Sequence, residues 1–171
     1  MAQGPAKKQK PKHVSERAPD KGVLERKSIA QNRRARYDYH IDETYEVGIV
    51  LVGPEVKSLR TGQSSINEAF ARLEKQEIWL LGMHIAEYFE ATYNNHVTRR
   101  KRKLLLNARE IKKIEKALAV KGTTLIPLEL FFNERGLAKL VLAVARGKRS
   151  FDKRQDIKKR ETDREIRRIV R

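Results

Sequence analysis

Cysteine is absent from the 171 residues. That excludes a disulfide framework and any thiolate metal site, and it fits a reducing compartment. No stretch approaches the roughly eighteen consecutive apolar residues of a membrane-spanning helix. The opening MAQGPAKKQKPKHVSERAPDKG has no apolar core of the kind a signal peptide needs. The expectation is a soluble, cytoplasmic chain with no membrane partner. Catalytic motifs are missing too. There is no G-x-x-x-x-G-K-[ST] phosphate loop and no G-x-G-x-x-G, and His13, His40, His84 and His96 form neither H-x-H nor H-E-x-x-H. Asp42 and Glu46 stand on one face of an expected strand, as a metal-binding pair would. Without a third ligand, an exposed polar face is the better account. No enzyme activity, cofactor, metal or small-molecule substrate is expected.

What is present in excess is positive charge, a net of +17. It is unevenly spread. Residues 1–36 carry a net of +8 and residues 98–122 again +8, while residues 37–97 are at −6 and 146–171 at +7. Such blocks mark solvated tails or phosphate-binding surfaces, and nucleic acid is the polyanion they suit best.

Residues 1–30 are rich in Lys, Pro and Ala without periodicity and are expected to be disordered. A folded body over 31–146 follows, then a basic tail over 147–171. From Tyr37 to Val52, β-branched and aromatic residues predict one long strand or two joined by a bend, with Gly48 at a bulge or a barrel corner. GPEVKSLRTG predicts a short helix opened by Pro54 and closed by Gly62, with Val56 and Leu59 facing the core. Two hairpins are expected, one around the polar turn EKQE and one around NERG. In the second, Ile126, Leu128, Leu130 and Phe132 are expected to alternate inward opposite Leu140, Leu142 and Val144, with Pro127 at an edge or a bulge. Between the hairpins, Asn107 and Glu110 form a capping-box variant ahead of the apolar stripe Ile111, Ile114, Ala117 and Leu118. The pattern predicts a mainly β protein: a small, OB-like antiparallel barrel with about three packed helices and disordered basic tails.

Three basic clusters surround this body. Arg33, Arg34 and Arg36 adjoin Tyr37 and Tyr39, placing cations beside rings that can stack on bases. Lys57 and Arg60 share the outer face of the short helix. Arg99, Arg100, Lys101, Arg102 and Lys103 are consecutive and lead into LLLN. With no recognition-helix motif, RNA is preferred over DNA.

NRRARYDY, GPEVKSLRTG, RKLLLN followed by a helix, and VARGKRSFDKRQDIKKRETDRE together resemble the SsrA-binding protein family, also called small protein B, the bacterial partner of transfer-messenger RNA. The resemblance runs from about Asn32 to the C-terminus and leaves out the N-terminal extension. It implies an OB-type barrel that binds the tRNA-like domain of transfer-messenger RNA at its elbow and delivers it to stalled ribosomes, with no catalytic step. It also implies that Glu46, Leu105 and Asn107 contact the RNA. An Asn amide can serve a base edge or a 2′-hydroxyl, a leucine can pack on a base, and a glutamate can accept from an exocyclic amine. Structural alternatives stand beside these roles: Asn107 as helix cap, Leu105 as core, and Glu46 as a holder of Arg36. Tyr37 departs from the family, which often has histidine there, so a protonation-dependent role is put in doubt.

In the tail, Ile166, Ile169 and Val170 cluster on one face while Ile157 lies opposite, so no stripe can dock on the barrel. A helix there is marginal in isolation, and coil is expected in the free protein. The resemblance implies that the tail enters the empty messenger channel of the small ribosomal subunit near the decoding site and folds against ribosomal RNA. Gly147, Lys148, Asp152, Lys153, Arg154, Lys158, Lys159, Arg160 and Ile169 are its implied ribosome-binding residues.

Overall fold

The computed structural model describes residues 26–91 and 95–149, together with positions 152, 161, 162, 165, 166 and 168. The sequence reading of residues 1–25 lies outside them. Within the described residues the chain runs β1 (Lys27–Gln31), α1 (Ala35–Asp38), β2 (Tyr39–Ile49), α2 (Gly53–Arg60), β3 (Ser64–Ser65), β4 (Phe70–Glu74), β5 (Glu77–Leu81), β6 (His84–Ile85), β7 (Arg102–Leu105), α3 (Ala108–Leu118), β8 (Thr123–Phe132) and β9 (Ala138–Gly147). The antiparallel pairings β8–β4–β5–β7–β2–β9 return to β8 and close a ring of six strands. This is the expected small barrel-like architecture with three helices.

Local chemistry explains most elements. The β4–β5 hairpin turns at Lys75 and Gln76, both with positive φ (48° and 62°), the geometry of a tight two-residue turn matched to strand twist. In the β8–β9 hairpin, the Asn133 side-chain oxygen accepts from Arg135 N–H and Leu137 N–H at 3.1 and 2.8 Å and so organises the turn. Helix α2 carries proline in its first turn, and Glu55 reaches back to accept from Val52 N–H at 2.9 Å. Helix α3 starts the same way, with Glu110 accepting from Asn107 N–H at 2.9 Å. Inside the ring, Val47, Ile78, Leu80, Leu104, Leu125, Leu130, Leu140 and Leu142 form the core, closed by Leu59 of α2 and Ile114 of α3.

Four features differ from the sequence reading. First, β1 occupies Lys27–Gln31 and pairs with β8, so residues 27–30 belong to the sheet and not to a disordered segment. Ile29 and Ala30 pack on the core, and that burial holds the segment in the sheet. Second, Tyr37 lies in the one-turn helix α1, not in a strand. Ala35 N–H donates to the Asn32 side chain at 3.0 Å, a local bond that turns the backbone before β2 begins. Third, Ile126 and Leu128 do not face the barrel core. The β8–β9 register shifts between Pro127 and Glu129, and the extra residue reverses which side chains point inward. Leu125 and then Leu130 and Phe132 enter the main core, while Ile126 and Leu128 join a satellite cluster with Ala35, Tyr39 and Ala145. Fourth, the backbone is helical at Asp152, Glu161, Thr162, Glu165, Ile166 and Arg168, where coil is expected. Strong helix formers carry that geometry locally, and Ile166 stays exposed.

Candidate nucleic-acid interface

Residues far apart in sequence meet where β2, β7 and the β8–β9 hairpin converge. Gly48 pairs with Leu105 across β2–β7 and with Lys139 across β2–β9. Glu46, two residues before Gly48, shares its strand face. Asn107 follows two residues after Leu105 and stands at the N-cap of α3. Glu46, Leu105 and Asn107 therefore line one groove of about 600 Å³, together with Leu51, Val56, Leu137 and Lys139.

Gly48 stands in close approach to Leu105 here; the strand's bulge sits elsewhere, between Ile41 and Glu43. A Cβ on Gly48 would lie 3.3 Å from the Leu105 Cβ, tighter than an ordinary contact, so Leu105 would have to shift by a few tenths of an ångström to admit it. Leu105 is 53% exposed and Leu137, facing the same groove, is 57% exposed. Leu105 is thus not a core residue. Two open leucines provide an apolar surface on which a base can lie. Glu46 is held by Lys139, with Oε1 to Nζ at 3.4 Å, and not by Arg36. The N-cap role uses the backbone of Asn107 and at most its side-chain oxygen, so the amide NH₂ remains able to donate into the groove.

Arg33 and Arg36 line a second cavity of about 390 Å³, bounded by Val141. Val141 pairs with Glu46 and lies two residues along β9 from Lys139, so the two cavities adjoin on one outer face of the ring. Arg34 lies on the other side of α1. It pairs with Asp38 at 2.9 Å and lines a different cavity. Tyr37 is half-buried. Lys57 and Arg60 are exposed but do not border the groove; the Lys57 Nζ lies 5.3 Å from the centre of the Tyr88 ring.

The basic run is the main departure from the sequence reading. Arg102 is fully buried, not presented to a ligand. Its Nε donates to Glu55 at 2.9 Å, its NH1 group to the carbonyls of Met83 and Arg100, and its NH2 group to that of Thr98. Arg100 grips the same carboxylate with two bonds of 2.8 and 2.6 Å. Burial alone would raise the Glu55 carboxyl. The hydrogen bonds from Arg100 and Val52 N–H, with the charges of Arg102 and Arg100, outweigh it and hold the group below its ordinary range. The other three cations of the run also meet carboxylates: Arg99 with Glu68 and Lys101 with Glu74, each at 3.6 Å, and Lys103 with Glu77. Lys101 also sits over the Trp79 ring. The acidic segment 37–97 thus neutralises this run.

Asp42 and Glu46, the carboxylate pair, each face a cation on β9. Arg146 binds Asp42 with two bonds of 2.9 and 2.8 Å, and the hydrogen bond from Arg146 holds the Asp42 carboxyl below its usual range. Where the tail leaves the body, Gly147 ends β9 and Lys148 N–H donates to the Asp38 carbonyl at 2.9 Å. The Lys148 Nζ donates to the Arg36 carbonyl at 3.0 Å, and the Asp152 carboxylate accepts from Arg149 N–H at 3.2 Å. Lys153, Arg154, Lys158, Lys159, Arg160 and Ile169 lie outside the described residues. Sequence reasoning missed Leu137 and Lys139. The one available signal was an apolar residue directly after the polar turn NERG.

The model of the family described as SmpB protein matches residues 29–171. A protein named SsrA-binding protein from Thermobifida fusca is 53% identical over 145 residues, covering 85% of this chain and 90% of the relative. One of the same name from Bacteroides thetaiotaomicron is 49% identical over 139 residues, covering 81% and 93%. Among solved structures, a chain from "tmRNA-SmpB: a journey to the center of the bacterial ribosome" superposes with a TM-score of 0.60 at 51% identity, covering 70% of this chain and 84% of that one. The chain belongs to the SmpB protein family.

Proposed function

We propose that this chain binds the tRNA-like domain of transfer-messenger RNA and delivers it to stalled ribosomes for trans-translation and ribosome rescue. The observation that carries the reading is the meeting of Glu46, Leu105 and Asn107 in one groove whose floor is exposed leucine. The groove accepts an unstacked base: Leu105 and Leu137 pack on its face, the Asn107 amide donates to its edge, and Glu46 accepts from an amine. Arg33 and Arg36 have no carboxylate partner among the described residues, and they meet phosphates of the same RNA. The protein acts by recognition in the cytoplasm and carries out no catalytic step of its own. The tail, leaving the body at Lys148, enters the messenger channel of the small subunit, where ribosomal RNA holds it as a helix near the decoding site.

Binding of the tRNA-like domain is compared with binding of an unrelated structured RNA at matched salt. Preference for the tRNA-like domain, lost with Leu105→Ala or Asn107→Ala, is the expected result. Equal affinity for both RNAs would make the protein a general structured-RNA binder. A chain truncated after Arg146 is expected to keep RNA binding and lose tagging on stalled ribosomes; tagging by that chain would sink the tail mechanism.

A further inference from the structure

The internal basic block does not end with the run at 99–103. Helix α3 begins one residue after Asn107, and Arg109, Lys112, Lys113 and Lys116 are all exposed along it. At about 100° per residue these four fall within about 100° of arc. Ile111, Ile114, Ala117 and Leu118 occupy the opposite face, against the core. The stripe makes no ion-pair contact among the described residues. Among the described residues no carboxylate lies within ion-pair reach of any of the four. The helix's own two glutamates are used elsewhere: Glu110 on Asn107 N–H, and Glu115 accepting from Gln76 Nε2 at 3.2 Å.

Charge along the helix is mixed. Arg109 with Lys113 and Lys112 with Lys116 are spaced four apart, Arg109 with Lys112 and Lys113 with Lys116 three apart, and like charges at those spacings weaken a helix, while Glu110 with Lys113 and Lys112 with Glu115, also three apart, offset part of that. The cations of the preceding run all have carboxylate contacts; among the described residues these have none. They also start where the groove ends, since Asn107 and Glu110 line it. A polyanion leaving the groove would meet the stripe directly.

We propose that Arg109, Lys112, Lys113 and Lys116 form a phosphate-tracking rail that continues the RNA interface from the groove along the outer face of α3. The occupant is the sugar–phosphate backbone of the same tRNA-like RNA whose base enters the groove, so the proposal rests on the RNA-binding reading above. The rail adds affinity without sequence preference, because phosphate contacts position and do not specify. It spans about 10 Å, at 1.5 Å per residue.

The full-length protein tests it, with the tRNA-like domain of transfer-messenger RNA as probe and affinity measured across a series of KCl concentrations. Lys112→Gln/Lys113→Gln/Lys116→Gln is compared with Lys27→Gln, an exposed cation on β1. For the triple variant, the slope of log affinity against log salt should fall by roughly 1 for each lysine that meets a phosphate. Affinity at low salt should fall about tenfold or more, while Lys27→Gln changes neither. The free triple variant should melt close to the parent, because the like-charge and opposite-charge spacings it removes largely offset one another. Binding thus falls while stability holds, which a folding defect cannot mimic. An unchanged slope and affinity on the isolated RNA overturns the rail, even if ribosome binding falls. If the parent protein shows no preference for the tRNA-like domain over an unrelated hairpin, the recognition reading fails, and the rail is then judged separately on its salt slope.

Discussion

The run at 99–103 and the helix at 108–118 form one basic block in the sequence and two opposite environments in the fold. Every cation of the run has a carboxylate partner, and Arg102 is sealed inside the protein. Among the described residues, the cations on the outer face of α3 have none. A count of charges measures the total, but the folded neighbours of each charge decide whether it reaches solvent. Here the denser cluster holds the fold together, and the sparser one is left to act on a partner.

The strongest way to break this contrast is Arg102→Ala. It leaves Glu55 buried without one of its two arginines, and stability should fall by about 3–5 kcal/mol, measured by urea unfolding; a loss under about 1 kcal/mol would show that the run is not structural. Acid tests the same clasp from the other partner. Glu55 has a folded pKa below its ordinary value of 4.5. The stability it contributes is therefore complete above that value and is lost as pH falls through the depressed folded pKa. Unfolding midpoints should drop steeply below about pH 4.5. In Arg100→Gln, where the Glu55 pKa rises toward its ordinary value, stability at neutral pH should be lower and the drop in acid smaller. A smaller effect is expected from Glu110→Ala, which removes the carboxylate that caps α3 and should cost about 1 kcal/mol; thermal melting measures it. Smallest of all, Lys101→Gln, at an exposed pair with Glu74, should change stability by about 0–1 kcal/mol. It should also leave the salt slope of RNA binding nearly as it was, unlike the lysines of α3.

Much of this fold was legible in the sequence because its causes are local. The polar turn EKQE, the NERG turn, the proline of α2 and the Asn107–Glu110 box each fix an element through neighbours a few residues away. What escaped depends on partners distant in the chain. Nothing near Arg102 reveals that Glu55, on another element, will bury with it. The inward phase of β8 cannot be read from alternation, because one added residue between Pro127 and Glu129 reverses it. In the groove, Glu46, Leu105 and Asn107 are found through the family's motifs. Leu137 and Lys139 join them only because the start of β9 lies beside β2.

That added residue in β8 has a consequence for how the chain can vary. Before it, Leu125 is paired with Ala71 of β4; after it, Glu129 to Phe132 are paired with β1. One strand thereby serves two packing layers, the ring interior and the platform under α1, each with its own parity. Side-chain identity at Leu128 is loosely constrained, since it is only partly buried. Chain length there is constrained in one direction. Losing Leu128 would leave a regular β8–β9 ladder with Leu125, Leu130 and Phe132 still on one face, at the cost of a side chain in the cluster under α1. Adding a further residue would instead turn Leu130 and Phe132 outward and carry β1, with the arginines that follow it, out of step with the groove. This stretch of β8 should accept the loss of its extra residue far more readily than the gain of another.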